Sequence, residues 1–263
     1  MSTIATRPIT IRGKPVAGGA VPLVCTPLVG RTAGALETEL EAIVPKRPDV
    51  LEWRVDYFEE IGRTARVIEV GRMVRERARA IPILFTRRSK LEGGEAIPID
   101  EPQVLEVYEA MCASGCIDLV DYELANAAAD LRRVRESSRR HGVAMVVSYH
   151  NFKATPPRDE LVAKFVQAAR EGADIAKVAV MPTSLDDVLV LLDATLQGSR
   201  QVQIPLITMA MGALGSLTRM VGGVFGSALT FAVGHSSSAP GQVPIDDLRT
   251  VLATVRRTAG MQG

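Results

Sequence analysis

A chain of 263 residues with 47% hydrophobic content is long enough for one large α/β domain or two small ones. Its 31 basic and 30 acidic residues leave a net charge of +1, which gives no electrostatic footprint for nucleic acid or an anionic membrane. No run approaches the roughly 18–20 apolar residues that span a bilayer, Met1 to Thr10 lacks the apolar stretch of a secretory signal, and three cysteines are an odd number for a disulfide framework, so a cytoplasmic setting is expected.

Ile9 to Val16 reads as a small hairpin with Gly13-Lys14 at its turn and Gly18-Gly19 closing it. Val21–Thr26 is a first apolar run, stopped by Pro27 and Gly30, and Thr32 caps a helix reaching about Ile43. Asp49–Asp56 is a second strand whose alternation sets Glu52, Arg54 and Asp56 against Leu51, Trp53 and Val55. Three charges on a covered face are costly unless they pair or bind something; a solvated edge strand is the alternative.

Glu59 to Ala80 is a long basic helix and Ile81–Thr86 a third strand, running into Arg87-Arg88-Ser89 and a loop with Gly93-Gly94. Asp100–Ala113 is helical, with Pro102 in its first turn. Cys112 and Cys116 are four apart in that helical pattern; without further Cys or His nearby they read as small buried residues rather than zinc ligands. Ile117–Tyr122 is a fourth strand carrying Asp118 and Asp121, and Asn126–Arg140 a polar helix. Val143–Tyr149 is a fifth strand that delivers His150 at its end.

Arg158–Glu171 is a helix closed by Gly172. The sixth strand, Asp174–Pro182, holds Lys177 in its middle. Ser184 caps the next helix, Ile204–Met209 and Ala228–Val233 are the seventh and eighth strands, and Ile245–Thr258 is a closing amphipathic helix. Gly222–Gly226 precedes a strand rather than following one, so a close-packed turn explains it as well as a phosphate loop does. Eight strands alternating with helices, at a length near the roughly 250 residues of a (β/α)8 barrel, point to that fold with a short N-terminal hairpin, as one domain over residues 1–263. A doubly wound sheet is the alternative, and Val29-Gly30-Arg31-Thr32 does not supply its glycine fingerprint.

A barrel gathers the C-terminal ends of its strands into one site. Glu52, Arg54, Asp56, Arg88, Asp121, His150, Lys177, Met209, Met211 and the segment Gly234–Ser238 all fall at such ends. A lysine inside an apolar strand is either a snorkelling side chain or a desolvated amine able to attack a carbonyl. His150 suits general acid–base work, whereas His141 at a helix end and His235 in a Ser/Gly loop do not. Arg54, Arg88 and Arg219 are candidate clamps for a carboxylate or phosphate, and their charges are expected to press on Lys177. Schiff-base chemistry beside such a base leaves elimination, aldol cleavage and isomerisation open.

Five segments carry a further signal: Glu52-Trp53-Arg54-Val55-Asp56, Arg88-Ser89-Lys90-Leu91-Glu92-Gly93-Gly94-Glu95, Ser148-Tyr149-His150-Asn151-Phe152, Ala176-Lys177 and Ser238-Ala239-Pro240-Gly241-Gln242. Together, and in this order, they resemble type I 3-dehydroquinate dehydratase, over about Val21 to Arg249. The resemblance implies a (β/α)8 barrel, a homodimer, no metal and no cofactor, and the small-molecule substrate 3-dehydroquinate. It implies Lys177 as the imine-forming amine, His150 as the acid–base group and Glu92 as its assistant. Glu52, Arg54, Arg88, Asp121, Met211, Arg219, Phe231, Ser238 and Gln242 match substrate-contacting positions, with Arg87 the alternative to Arg88 and Asp121 expected to orient the histidine or a water. Thr218 stands where the family pattern has serine. A class I aldolase barrel and an inactive quinate- or shikimate-sensing barrel are the competing readings; retention of Lys177, His150 and Glu92 together weighs against the second.

Overall fold

Two short strands, β1 (Ile9–Ile11) and β2 (Lys14–Val16), form an antiparallel hairpin in the computed structural model, which describes residues 6–18 and 21–258. Its turn is Arg12-Gly13, both at positive φ, one residue earlier than the sequence suggests. Such a turn matches the twist of the flanking strands. Gly19 lies outside the described residues.

Eight parallel strands follow: β3 (Leu23–Leu28), β4 (Val50–Arg54), β5 (Ile83–Thr86), β6 (Leu119–Glu123), β7 (Ala144–Asn151), β8 (Ile175–Val180), β9 (Leu206–Ala210) and β10 (Leu229–Val233). They pair in chain order from β3 to β9, and β10 pairs back onto β3. A parallel bridge between Leu206 and Ser227, with Ala228 N donating to Leu206 O at 2.7 Å, closes β9 against the start of β10. The result is the expected (β/α)8 barrel; a two-residue strand, β11 (Val243–Pro244), adds to β10.

The helices are α1 (Ala33–Ile43), α2 (Thr64–Ala78), α3 (Glu101–Ala113), α4 (Ala128–Arg140), α5 (Arg158–Arg170), α6 (Leu185–Gln201), α7 (Gly212–Val221) and α8 (Ile245–Thr258). Thr32 caps α1, and reciprocal capping boxes start α3 (Asp100 with Gln103) and α6 (Ser184 with Asp187). Two boundaries, and the face expected for Cys116, depart from the sequence reading. β3 continues through Pro27, whose fixed φ suits an extended strand. α2 begins at Thr64 rather than Glu59, because Phe58 and Ile61 turn inward and are buried. α3 ends at Ala113, so Cys116 does not share its face; all three cysteines are nevertheless buried, with free thiols.

The alternation of each strand separates two cores. Outward-facing Leu51, Trp53, Phe85, Val120 and Val147 pack beneath the helices. Inside the barrel, Cys25, Val50, Leu84, Leu119, Val146, Ile175, Ile207 and Leu229 form an apolar cluster that includes Ile11 and Val16 of the hairpin. Two residues further along the same inward faces stand Glu52, Thr86, Asp121, Ser148, Lys177 and Met209. The barrel is therefore apolar at its base and polar at its C-terminal end. No described helix is long and apolar enough to cross a membrane.

Candidate active site

A small cavity opens at the C-terminal ends of the strands. Glu52 and Arg54 come from β4, Arg88 and Glu92 from the segment after β5, His150 from β7, and Lys177 from β8. Met211 at the end of β9, Phe231 of β10, and Ser238 and Gln242 beyond β10 complete the wall. Two of the positions that the resemblance marks as substrate-contacting do not line it. Asp121 lies beneath the floor, fully buried, and Arg219 stands behind Met209.

Lys177 Nζ lies 2.9 Å from Asp121 Oδ2, 3.5 Å from Glu52 Oε1 and 4.8 Å from the Phe231 ring centroid. Two carboxylates thus pair with its ammonium. Snorkelling is excluded, since the side chain is only 4% exposed. The reason is register: Lys177 pairs with Ser148, in the second inward-facing layer, too deep for its amine to pass the wall to solvent.

His150 is two residues beyond Ser148 on β7, about 6.6 Å further toward the cavity mouth at strand spacing. Its Nδ1 meets Glu92 Oε2 at 2.8 Å, and its backbone N donates to the same oxygen at 3.0 Å. This fixes the ring, and Nε2 is without a hydrogen bond among the described residues. Burial, with Arg88 and Lys177 nearby, holds the imidazole well below its ordinary pKa. Burial and the Glu123 carboxylate push the Glu92 carboxyl up to about 8. Each partner therefore favours its neutral form, and a proton can be passed along the pair.

Glu92 sits at the end of a single 3-10 turn, Lys90–Glu92, capped by Ser89 Oγ and closed by Gly93 at φ 84°. A Cβ on Gly93 would overlap the Phe152 ring, so glycine is required there by both conformation and space.

The three arginines have different surroundings. Arg54 is held bidentately by Asp56, at 2.8 Å for both contacts, and stacks 5.0 Å from the Tyr57 ring centroid. Arg88 donates to Asp121, Glu123 and Ser148, and the nearby carboxylates outweigh burial in raising its pKa. Arg87 points the other way, to Glu101 behind the barrel wall. Arg219 is 1% exposed and has no acidic partner among the described residues; Nη1 contacts Met209 Sδ at 3.6 Å and Nη2 donates to Pro240 O at 3.3 Å. Burial pulls its guanidinium down to about 10. It is a buried guanidinium set back from the cavity behind Met209, with no carboxylate partner among the described residues.

Asp121 takes Arg88 Nη2 at 2.8 Å, Ser148 Oγ at 2.6 Å and Lys177 Nζ at 2.9 Å. It makes no hydrogen bond to His150, so the role of orienting that ring falls to Glu92. Ser238 and Gln242 bond to each other, Gln242 Nε2 donating to Ser238 Oγ at 3.2 Å. The loop they belong to is tied down where Gly212 N and Arg219 Nη2 both donate to Pro240 O. Met209, expected with Met211 at the end of its strand, lines the cavity, and alternation puts both on the inward face. Phe152, Gly93, Ala179 and Ala239 also line it and were not singled out, though Phe152, Gly93 and Ala239 lie inside recognised segments.

Comparison with known proteins places this geometry. Residues 24–259 match the family described as type I 3-dehydroquinase. A 3-dehydroquinate dehydratase of Albidiferax ferrireducens is 54% identical over 97% of both chains. The crystal structure of 3-dehydroquinate dehydratase from Geobacillus kaustophilus HTA426 superposes with a TM-score of 0.94 at 50% identity, covering 97% of this chain and 99% of that one. A type I 3-dehydroquinate dehydratase from Clostridium difficile, solved with covalent modified comenic acid, gives a TM-score of 0.91 at 33% identity over 96% and 99% of the two chains.

Proposed function

The chain belongs to the type I 3-dehydroquinase family and is a 3-dehydroquinate dehydratase of the shikimate pathway; from this premise we propose how its residues carry the reaction. Lys177 gives up its ammonium proton to the neutral His150 imidazole and Nζ attacks the C3 ketone of 3-dehydroquinate; His150 returns the proton to the carbinolamine hydroxyl, which leaves as water to give an iminium. The iminium acidifies the C2 proton by accepting electron density. His150 removes that proton and protonates the departing C1 hydroxyl, so water leaves by syn elimination and a conjugated iminium remains. Addition of water then releases 3-dehydroshikimate and restores the amine.

One observation carries this reading: Lys177 is buried in the cavity wall, with His150 one strand away and nearer the mouth. Asp121 and Glu52 are placed to hold the ammonium in the resting state and the iminium that replaces it, both cationic. Arg219 takes the substrate carboxylate, because it is the buried guanidinium not already paired with an acid. Glu52, Arg54 and Gln242 are the wall groups that face the ring hydroxyls. The Ser238–Gln242 segment covers the cavity and shields the iminium from premature hydrolysis.

Borohydride reduction in the presence of 3-dehydroquinate tests the proposal. Peptide mass mapping is expected to find a reduced adduct on Lys177, and Lys177→Ala to lose both adduct and turnover. A wild-type enzyme that dehydrates the substrate without trapping, or an active Lys177→Ala, would sink it. His150→Ala is expected to trap an adduct while eliminating about 10²–10⁴-fold more slowly.

A further inference from the structure

Both hydrogens of Arg88 Nη1 are committed. One goes to Glu123 Oε1 at 3.0 Å and the other to Ser148 Oγ at 2.9 Å. Glu92 Oε2 lies 3.6 Å from the same nitrogen, beyond hydrogen-bond range, and meets His150 instead. Two buried carboxylates thus compete for one guanidinium nitrogen, and Glu123 holds it. Glu123 Oε1 also accepts Ser89 N at 2.6 Å, while Ser89 Oγ accepts Glu92 N at 3.3 Å. The same oxygen that occupies Arg88 therefore anchors the turn on which Glu92 is mounted. Glu123 is itself buried and is not part of the cavity wall.

We propose that Glu123 is a positioning residue for the elimination: by occupying Arg88 Nη1 and Ser89 N, it keeps Arg88 off Glu92 and leaves Glu92 to His150. The role rests on the reading of His150 as the acid–base group. The charged groups facing Glu92 are Arg88 from the end of β5, Asp121 and Glu123 from β6, and His150 from β7. Lys177, Glu52 and Arg54 share the cavity. Of these, Arg88 is the cation within 4.0 Å of the Glu92 carboxylate apart from His150, and full engagement by it would expel the proton from the pair. The Glu123 charge acts in the same sense as its geometry, since it adds to burial in raising Glu92.

Glu123→Gln in the full-length protein tests this, because glutamine keeps an acceptor for Arg88 and Ser89 but carries no charge. Initial rates on 3-dehydroquinate would be measured across pH, with borohydride trapping of wild type and variant in parallel. The expected result is a kcat lowered ~10-fold or more, KM within about twofold of wild type, and an intact Lys177 adduct. The limb of the kcat/KM profile set by deprotonation of the Glu92–His150 pair is expected to move to lower pH by at least about half a unit. Glu123→Ala, which also releases an Nη1 hydrogen to Glu92, is expected to move it further. A limb unmoved in both Glu123→Gln and Glu123→Ala, or loss of thermal stability as the sole effect of Glu123→Ala, overturns the positioning role. Wild type that fails to trap overturns the Schiff-base reading itself, whereas a trapping wild type with the limb unmoved in both variants overturns this inference alone.

Discussion

Ser148 stands opposite Lys177 in the β7–β8 register, and the two residues share one carboxylate: Ser148 Oγ donates to Asp121 Oδ1 at 2.6 Å while Lys177 Nζ lies 2.9 Å from Oδ2. Asp121 thereby links three adjacent strands at the level of the reactive amine. Burial alone would favour the neutral acid, but Arg88 and Lys177 outweigh it and hold the carboxyl well below the usual carboxylate range. The floor of the cavity is a closed ionic layer on which the substrate-facing groups stand.

Removing the Ser148 hydroxyl should loosen that layer. Ser148→Ala leaves an Arg88 N–H and an Asp121 oxygen each one partner short in a buried site, at a cost of about 1–3 kcal/mol. The expected readout is a lower urea midpoint at unchanged slope, with the Lys177 adduct still formed because Asp121 Oδ2 is untouched. An unaltered midpoint would show that the layer is held without the hydroxyl.

Arg219 is predicted to trade stability for binding. Its guanidinium is buried without an acidic partner among the described residues, and burial has already drawn it down to about 10. Arg219→Met removes that charge at similar length. Stability should hold or rise, by up to about 1–2 kcal/mol, while kcat/KM falls about 10²-fold or more through loss of the carboxylate contact. Calorimetry and steady-state kinetics on the same preparation decide it; unchanged kinetics would assign the clamp elsewhere.

Gly93→Ala probes the mounting of Glu92 from outside the charge network. The position requires φ 84°, and its Cβ would overlap Phe152, so the Lys90–Glu92 turn must shift. The variant is expected to fold with a loss of about 1–3 kcal/mol and to lose kcat by ~10-fold or more, since displacement of Glu92 frees the His150 ring. Turnover at the wild-type rate would mean that the ring is held without this turn.

Much of this site was legible in the chain because a strand's period of two carries it. Val50, Glu52 and Arg54, or Ile175 and Lys177, announce an inward face that turns from apolar to charged. The same alternation places Ser148 under His150 and Glu123 above Asp121, so both supporting residues were within reach of the sequence. What alternation does not carry is register between strands. Thr86 pairs with Asp121, and Glu123 with Ser148; those offsets, not any local pattern, make Arg88 a hub for three carboxylates and a hydroxyl. They also bring Asp121 and Glu52 against Lys177. The start of α2 was illegible for a related reason, since burial of Phe58 and Ile61 is a tertiary choice that a helical pattern does not reveal.

The Glu92–His150 pair should leave its mark on stability as a function of pH. Glu92 is raised from an ordinary 4.5 to about 8 in the folded chain, so above pH 4.5 the folded state holds a proton that the unfolded state has lost. His150 works in the opposite sense, because its imidazole is held below its ordinary 6.5 and the unfolded state is the one that carries the proton. Between pH 4.5 and 6.5 the two imbalances offset each other. Between 6.5 and 8 the Glu92 imbalance remains alone, and the folded state binds more protons than the unfolded. Stability must then fall as pH rises, by at most about 1.4 kcal/mol per pH unit, and level off once Glu92 ionises in the folded chain. Glu92→Gln carries no such proton and should show a flatter profile across that window. Urea denaturation at a series of pH values compares the two; an equal slope in both proteins would place the proton on another group.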